Sequence, residues 1–483
     1  MRRFKINLLY LILLLPIWGV MLLQLVVRVK AIKENYAEYS ILFTLIMLAL
    51  IFMFYFIPYK CRARRRLSFN YILITLWSAM CLLMLYSDIV VSKKYCYLSL
   101  TLLILFTGLF AVLQQYGSKE RGKLFEIFLL AIETGFIGAS LVCFLFRPYT
   151  SGIRYSGLSA NPNVYGIFLI TVWACLLTKL DYCIGRSKDI KKCIIIGAEL
   201  GTATMFLYLT AARTSFLTIA FISIVWFIFR AVYTRRKNNP LLKYILSTAA
   251  AVAASFAVSY LLLATVPNLI NKPIVFERDR LFTAEYSTPG VCYASSQDDT
   301  ANTPDASASD KDTADRDVIK DIEKDVEQAV KDVADEPSPI SRLLSVFGEG
   351  ATLDIILNGR ISIYKEYLKH IDFKGHEKYG RKVNGTYVVN AHNNALQIAY
   401  SYGLGASIAY ILLCIFTLIY SLHYYIRYHD KRKTAAFPML IVISFIISSL
   451  TECILLPMQS LLAFCFFVCL GELMITYAPG RKA

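Results

Sequence analysis

Apolar runs of about 20 residues, the length that carries a helix across a hydrocarbon core, recur along this chain between short polar or basic segments. Twelve are predicted as spans, near residues 6–27, 39–58, 69–86, 97–115, 124–146, 163–179, 193–211, 214–233, 243–266, 394–420, 436–456 and 460–478. One boundary is fixed by length. Residues 193–233 are apolar almost without a break, and one helix over those 41 residues would be about 61 Å long, twice the hydrocarbon thickness. The run must turn, and "LTAARTSFL" around Arg213 offers a charge and polar residues for the turn. The pattern fails on a large scale only over 268–391, between spans nine and ten. Its middle, "SSQDDTANTPDASASDKDTADRD", is predicted as a disordered acidic insertion over about 293–317. Val318, Ile322, Val326 and Val330 then follow at helical spacing and predict a surface amphipathic helix. The apolar stretch from Ile340 to Ile371 should pack back on the membrane body. The fold expected is an all-α polytopic membrane protein of about 12 transmembrane helices with one large extracytoplasmic loop. It divides into a membrane domain 1–267 (spans one to nine), the loop 268–391, and a membrane domain 392–483 (spans ten to twelve).

Composition sharpens the picture. Hydrophobic residues are 57% of the 483, which excludes a soluble protein. No small-residue cleavage site follows the first apolar run, so it reads as a retained helix. The net charge of +17 would point to nucleic acid if it were concentrated on one face. It is not. Residues 268–391 hold 16 Lys and Arg against 22 Asp and Glu, so the excess lies in short loops elsewhere. Those loops are 1–5, 60–66, 119–123, 186–192, 235–237 and 429–433, with the tail Arg481-Lys482, and all fall on the same side of the count. The positive-inside rule makes that side cytoplasmic, with both termini, in a multi-pass protein of the cell membrane; the long loop is outside. The partner this implies is the lipid bilayer, and no nucleic acid. The twelve cysteines show no CxxC or metal-ligand spacing and read as packing residues rather than a disulfide framework.

The unusual polar residues sort onto the outer face. Span six is entered by "RYSGLSANPNVYG", where Asn161 is suited to cap the helix and Pro162 to begin it. Span eight is entered by Arg213-Thr214-Ser215, and span ten by His392-Asn393 in "NAHNNALQIAYSYGLG". These three helix N-termini, with Arg154, Arg213, His392 and Arg360 of "NGRISIYKEYL", would make a site for a phosphate or diphosphate. Each residue also has a plainer reading. An arginine at a helix end snorkels to headgroups, Asn-Pro is good capping, and an interfacial histidine caps or packs. Glu126, Glu133 and Glu199, inside predicted spans, should be protonated or paired between helices.

Four stretches, in order, resemble the O-antigen ligase and polymerase superfamily of bacterial membrane glycosyltransferases. "GLSANPNVYGIFLI" resembles its Asn-Pro-Asn segment, with Asn161 and Asn163, and "LTAARTSFLTIAF" its Ser-Arg-Gly turn. "NGRISIYKEYL" resembles its Gly-Arg segment, and "AHNNALQIAYSYGLG" its His-Asn segment, in which Gly403 follows His392 after ten intervening residues. Ala212 and Thr214 stand where the family usually has Ser and Gly. The resemblance covers about 150–420 and implies transfer of a glycan from a polyprenyl-diphosphate-linked oligosaccharide donor to a glycan or lipid-glycan acceptor. No metal or other cofactor is implied. His392 would be the catalytic base, Arg213, Arg360 and Arg154 would bind the diphosphate, and Asn161, Asn163 and Asn393 would support them. Polymerase is favoured over lipid ligase. The alternatives are a polysaccharide or lipid-linked oligosaccharide transporter or flippase, and a scaffold whose loop is a binding domain.

Overall fold

The computed structural model describes residues 15, 17–25, 36–56, 68–92, 97–149, 154–159, 161–187, 189–235, 241–270, 360–383 and 386–478. The acidic insertion, the predicted amphipathic helix and the basic segments 1–5, 60–66 and 481–482 lie outside the described residues. Among the described residues the regular structure is helical apart from one short hairpin. A helical stretch at 17–25 precedes α1 (Tyr36–Phe56), α2 (Tyr71–Ser92), α3 (Tyr97–Gln115), α4 (Ser118–Phe146), α5 (Pro162–Ser187), α6 (Ile190–Thr210), α7 (Arg213–Arg235) and α8 (Leu241–Ile270). After the long loop come α9 (Arg360–Leu368), the hairpin of β1 (Arg381–Val383) and β2 (Thr386–Val388), α10 (Asn394–Tyr402), α11 (Leu404–Tyr428), α12 (Ala436–Ser449) and α13 (Leu461–Thr476). Among the described residues, eight helices are long and apolar enough to cross a membrane: α2 to α8 and α11.

Helix α5 is the axis of the bundle. Of its apolar stretch 83% is buried, against 11% for α8 at the periphery. It packs on α4, α6, α7, α12 and α13, so a residue at either end of α5 meets several other helix ends. Asn161 starts it as the sequence implies, its Oδ1 accepting from Val164 N–H at 2.9 Å, with Pro162 as first residue. Helix α8 lies against α6, where Gly197 and Gly201 let the backbones approach; a Cβ at Gly197 would sit 2.8 Å from the Thr248 carbonyl oxygen. The turn demanded by the 193–233 run falls at Ala211-Ala212, between α6 and α7.

Two predicted spans are corrected. Span ten is not one helix over 394–420. It breaks at Gly403, which has φ 91° and ψ 160°, and the spanning helix is α11. A side chain at 403 would collide with the Phe373 carbonyl, because the 372–374 segment inserts there and Asp372 O accepts from Leu404 N–H at 2.8 Å. Apolar character runs straight through the break, so the pattern gives no sign of it. Span eleven likewise ends at Ser449 rather than 456, and residues 450–460 form an ordered connection into α13.

At this end of the bundle α9, the hairpin and α10 make a small cap. The strands pair antiparallel with Arg381 opposite Val388, and Ile363, Tyr367, Val383, Val388, Ala391 and Tyr400 form a separate core. The part of the 340–371 stretch that is described thus packs on the membrane body, through Arg360 and Tyr364, which bond to residues 450–452.

Candidate functional site

His392 opens α10 rather than a spanning helix, and its position is fixed by a network of amides. Asn393 Oδ1 caps α10 by accepting from Leu396 N–H at 3.1 Å, and its Nδ2 donates to Leu450 O at 3.1 Å. Asn394, fully buried, accepts from Ile454 N–H at 2.8 Å through Oδ1 and donates to the Tyr410 hydroxyl at 3.2 Å. The Tyr364 hydroxyl donates its single proton to Leu450 O at 2.9 Å, with His392 O also within reach at 3.2 Å. Burial pushes the Tyr364 hydroxyl up to about 12, so it stays a donor. Segments 390–394 and 450–454, some sixty residues apart in sequence, are stitched together side by side.

That stitching brings Glu452 to the histidine. Glu452 Oε2 lies 3.4 Å from His392 Nδ1, and Glu452 Oε1 accepts from Arg360 at 2.6 Å and from Asn163 Nδ2 at 3.3 Å. The other guanidinium arm of Arg360 donates to the Thr451 carbonyl. Asn163 in turn accepts from Arg154 at 2.8 Å, and Arg154 Nε donates to Thr210 O at 2.9 Å. Arg154 therefore ties the start of α5 to the end of α6. Four of the seven residues singled out in the sequence, Arg154, Asn163, Arg360 and His392, form one connected cluster about Glu452. Asn161 caps the helix that carries Asn163, and Asn393 caps α10 directly after His392. Arg213 begins α7 three residues beyond Thr210, which takes Arg154 Nε, so it belongs to the same end of the bundle.

The electrostatics follow from the contacts. Burial pushes the Glu452 carboxyl up, but the Arg360 guanidinium and then His392 outweigh it, holding the group below its ordinary value of 4.5. Glu452 is therefore an anion that accepts from the imidazole. With Nδ1–H directed at a carboxylate, Nε2 becomes the basic nitrogen of a neutral His392. The neighbouring Cys453 is no nucleophile, because burial pushes its thiol up to about 12. Among the described residues no group of three His, Cys, Asp or Glu is placed to hold a metal ion.

The backbone is strained at two places here. Ala211 (φ 47°) and His392 (φ 48°) are the non-glycine residues with positive φ among those described. Each costs on the order of 1 kcal/mol relative to a relaxed conformation. One is the candidate base; the other sets the turn that launches Arg213.

Glu452 is the residue that sequence reasoning missed. Its signal was present, as an acidic side chain at the outer end of predicted span eleven and so on the face that also holds His392. Extending that span over the apolar residues 453–456 hid it. Of the three glutamates that sequence did pick out inside spans, two are paired, Glu133 with Lys179 and Glu126 with Lys433 at 3.2 Å, whereas Glu199 Oε2 is buried without a hydrogen-bond partner among the described residues.

Fold and composition together define an all-helical membrane protein. No protein family, curated protein or solved structure matches the chain, so its chemistry rests on its own residues.

Proposed function

We propose that this protein is a membrane glycosyltransferase that moves a glycan from a polyprenyl diphosphate to an acceptor hydroxyl at the outer membrane face, as a surface-polysaccharide polymerase in preference to a lipid ligase. The observation that carries the reading is the His392–Glu452–Arg360 cluster, flanked by Arg154 and Asn163 at the start of α5. The acceptor oxygen attacks the anomeric carbon as the bond from that carbon to the diphosphate oxygen breaks. The hydroxyl proton passes to His392 Nε2, and the diphosphate leaves on its polyprenyl carrier. Glu452 is a positioning residue: it holds the imidazole tautomer and stabilises the imidazolium that forms. Arg360, bonded to Glu452, keeps that carboxylate ionised. The leaving charge falls to Arg154 and Arg213 beside the N-termini of α5 and α7, where helix dipoles add to the field. The basic-loop pattern supports assigning this end of the bundle to the outside.

The second reading, a transporter of lipid-linked oligosaccharide, is favoured by the Glu133–Lys179 pair inside the helices. Incubating the purified full-length protein with a polyprenyl-diphosphate oligosaccharide and separating products by size decides between them. A ladder supports polymerase, transfer to one lipid acceptor supports ligase, and absence of any transferred glycan rejects the enzyme and leaves the transporter.

A further inference from the structure

At the other end of α5 the bundle opens. Helices α4 and α6 are joined near the Glu452 end, where Phe144 stacks on Phe206 at 5.5 Å. Toward the opposite end α4 and α6 line a cavity of about 670 Å³ with α5 between them. Lys179 of α5 is sixteen residues along the helix from Asn163, or about 24 Å away. The cavity therefore has no part in the Glu452 cluster. Its charged lining is Lys123, Lys179, Lys192 and Lys433 against Glu126 and Glu133.

The charges are graded with depth. Glu133 and Lys179 pair at the inner end, largely buried. At the rim the pairs are open to solvent. Lys433 meets Glu126 at 3.2 Å with both side chains nearly half exposed, and Lys192 meets Asp189 at 3.4 Å with the lysine 61% exposed. Such exposed pairs contribute little and exchange readily for a better anion. Lys123 stands exposed on the same rim, one turn before Glu126. Apolar side chains make the walls, and two of them, Leu130 and Ile195, continue onto the outer surface of α4 and α6. A cationic rim at helix ends, above an apolar wall on a surface that membrane covers, matches one chemistry: a phosphodiester with hydrocarbon chains attached.

We propose that this cavity binds an anionic phospholipid, its phosphodiester held by Lys123, Lys192 and Lys433 and an acyl chain lying along Leu130 and Ile195. A nucleotide or free phosphate would use the rim and leave the apolar wall empty. The lipid would tie α4, α5, α6 and the α11–α12 connection together across the cavity. This site is independent of the glycosyl-transfer reading.

The test uses the full-length protein in detergent, with lipid binding followed by native mass spectrometry. The probes are a phosphatidylglycerol, a phosphatidylcholine of the same chains, and inorganic phosphate. The tightest site should prefer phosphatidylglycerol. The double variant Lys123→Gln, Lys192→Gln should weaken it roughly thirtyfold, at about fivefold per lysine. Both lysines are exposed, and an unchanged unfolding midpoint confirms that the variant is folded. Ile195→Trp, which fills the wall from an exposed position, should also weaken phosphatidylglycerol and provides the test should the lysine variant misfold. Equal binding of the two lipids, wild-type affinity in both variants, or displacement of the lipid by equimolar inorganic phosphate would overturn the proposal.

Discussion

Glu452 lies before α13 and Glu472 within it, and each meets two basic side chains. Glu472 lies within the helix, fully buried, and accepts from Arg121 at 2.5 Å, from Arg432 at 2.6 Å and from Thr476 at 3.0 Å. Glu452 lies before the helix, with its side chain 16% exposed, and accepts from Arg360 at 2.6 Å with His392 at 3.4 Å. The partners differ in kind. Glu472 is matched by two arginines, whereas Glu452 is shared by an arginine and a histidine, the side-chain type suited to taking up and releasing a proton. The backbones differ as well: His392 is held at positive φ, while neither Arg121 nor Arg432 is. A closed, unstrained pairing with two arginines suits the fastening of helices, and a half-open pairing with a histidine on a strained backbone suits the proton-transfer role proposed for His392.

The comparison predicts opposite consequences for removing each acid. Glu472→Ala strands two arginines, one of them buried, and should cost about 3–5 kcal/mol of stability. Thermal unfolding in detergent would read this as a large drop in midpoint or as failure to accumulate. Glu452→Gln should leave the protein folded, yet lower glycan transfer by roughly 10²-fold with donor binding little changed, because the amide no longer holds the imidazolium. A variant that binds donor normally and transfers at the wild-type rate would reduce Glu452 to a structural ligand of Arg360.

Acid should bring the two proteins together. Glu452 is held below its ordinary value of 4.5, so its ion pairs stabilise the folded state fully above that value. The contribution is lost as pH falls through the lower folded value. Wild type should therefore exceed Glu452→Gln in unfolding midpoint at pH 7, and the gap should narrow below pH of about 4. A gap that widens on acidification has the wrong sign and would contradict the assigned ionisation.

The smallest effect expected is a gain. Ala211 carries a left-handed conformation at the end of α6 that glycine adopts without penalty. Ala211→Gly should stabilise the protein by about 1 kcal/mol, less the entropy glycine adds to the unfolded chain. Destabilisation would mean that the Ala211 methyl group contributes more by packing than the turn costs.

Much of this architecture could be read in the chain, and the omissions have physical causes. The turn between α6 and α7 was legible because length forbids one helix over 193–233 and Arg213 marks the reversal. Asn161 and Pro162 announced the start of α5 for the same local reason, since capping uses residues three apart. The break at Gly403 was not legible. It depends on Phe373 O and Asp372 O arriving from another segment, and hydropathy reports nothing about tertiary collisions. Glu452 was hidden in a similar way, because its meaning comes from His392 sixty residues earlier and from Asn163 on another helix. Arg154, Asn163, Arg360 and His392 could be nominated one by one, but their convergence on a carboxylate could not.

The central claim is that His392 takes the acceptor proton, and it is tested most directly by transfer activity. Wild type and His392→Ala, purified and compared at matched protein levels on the same polyprenyl-diphosphate oligosaccharide, should differ by about 10² to 10⁴ in turnover while binding the donor alike. Equal turnover in the two proteins would contradict the account.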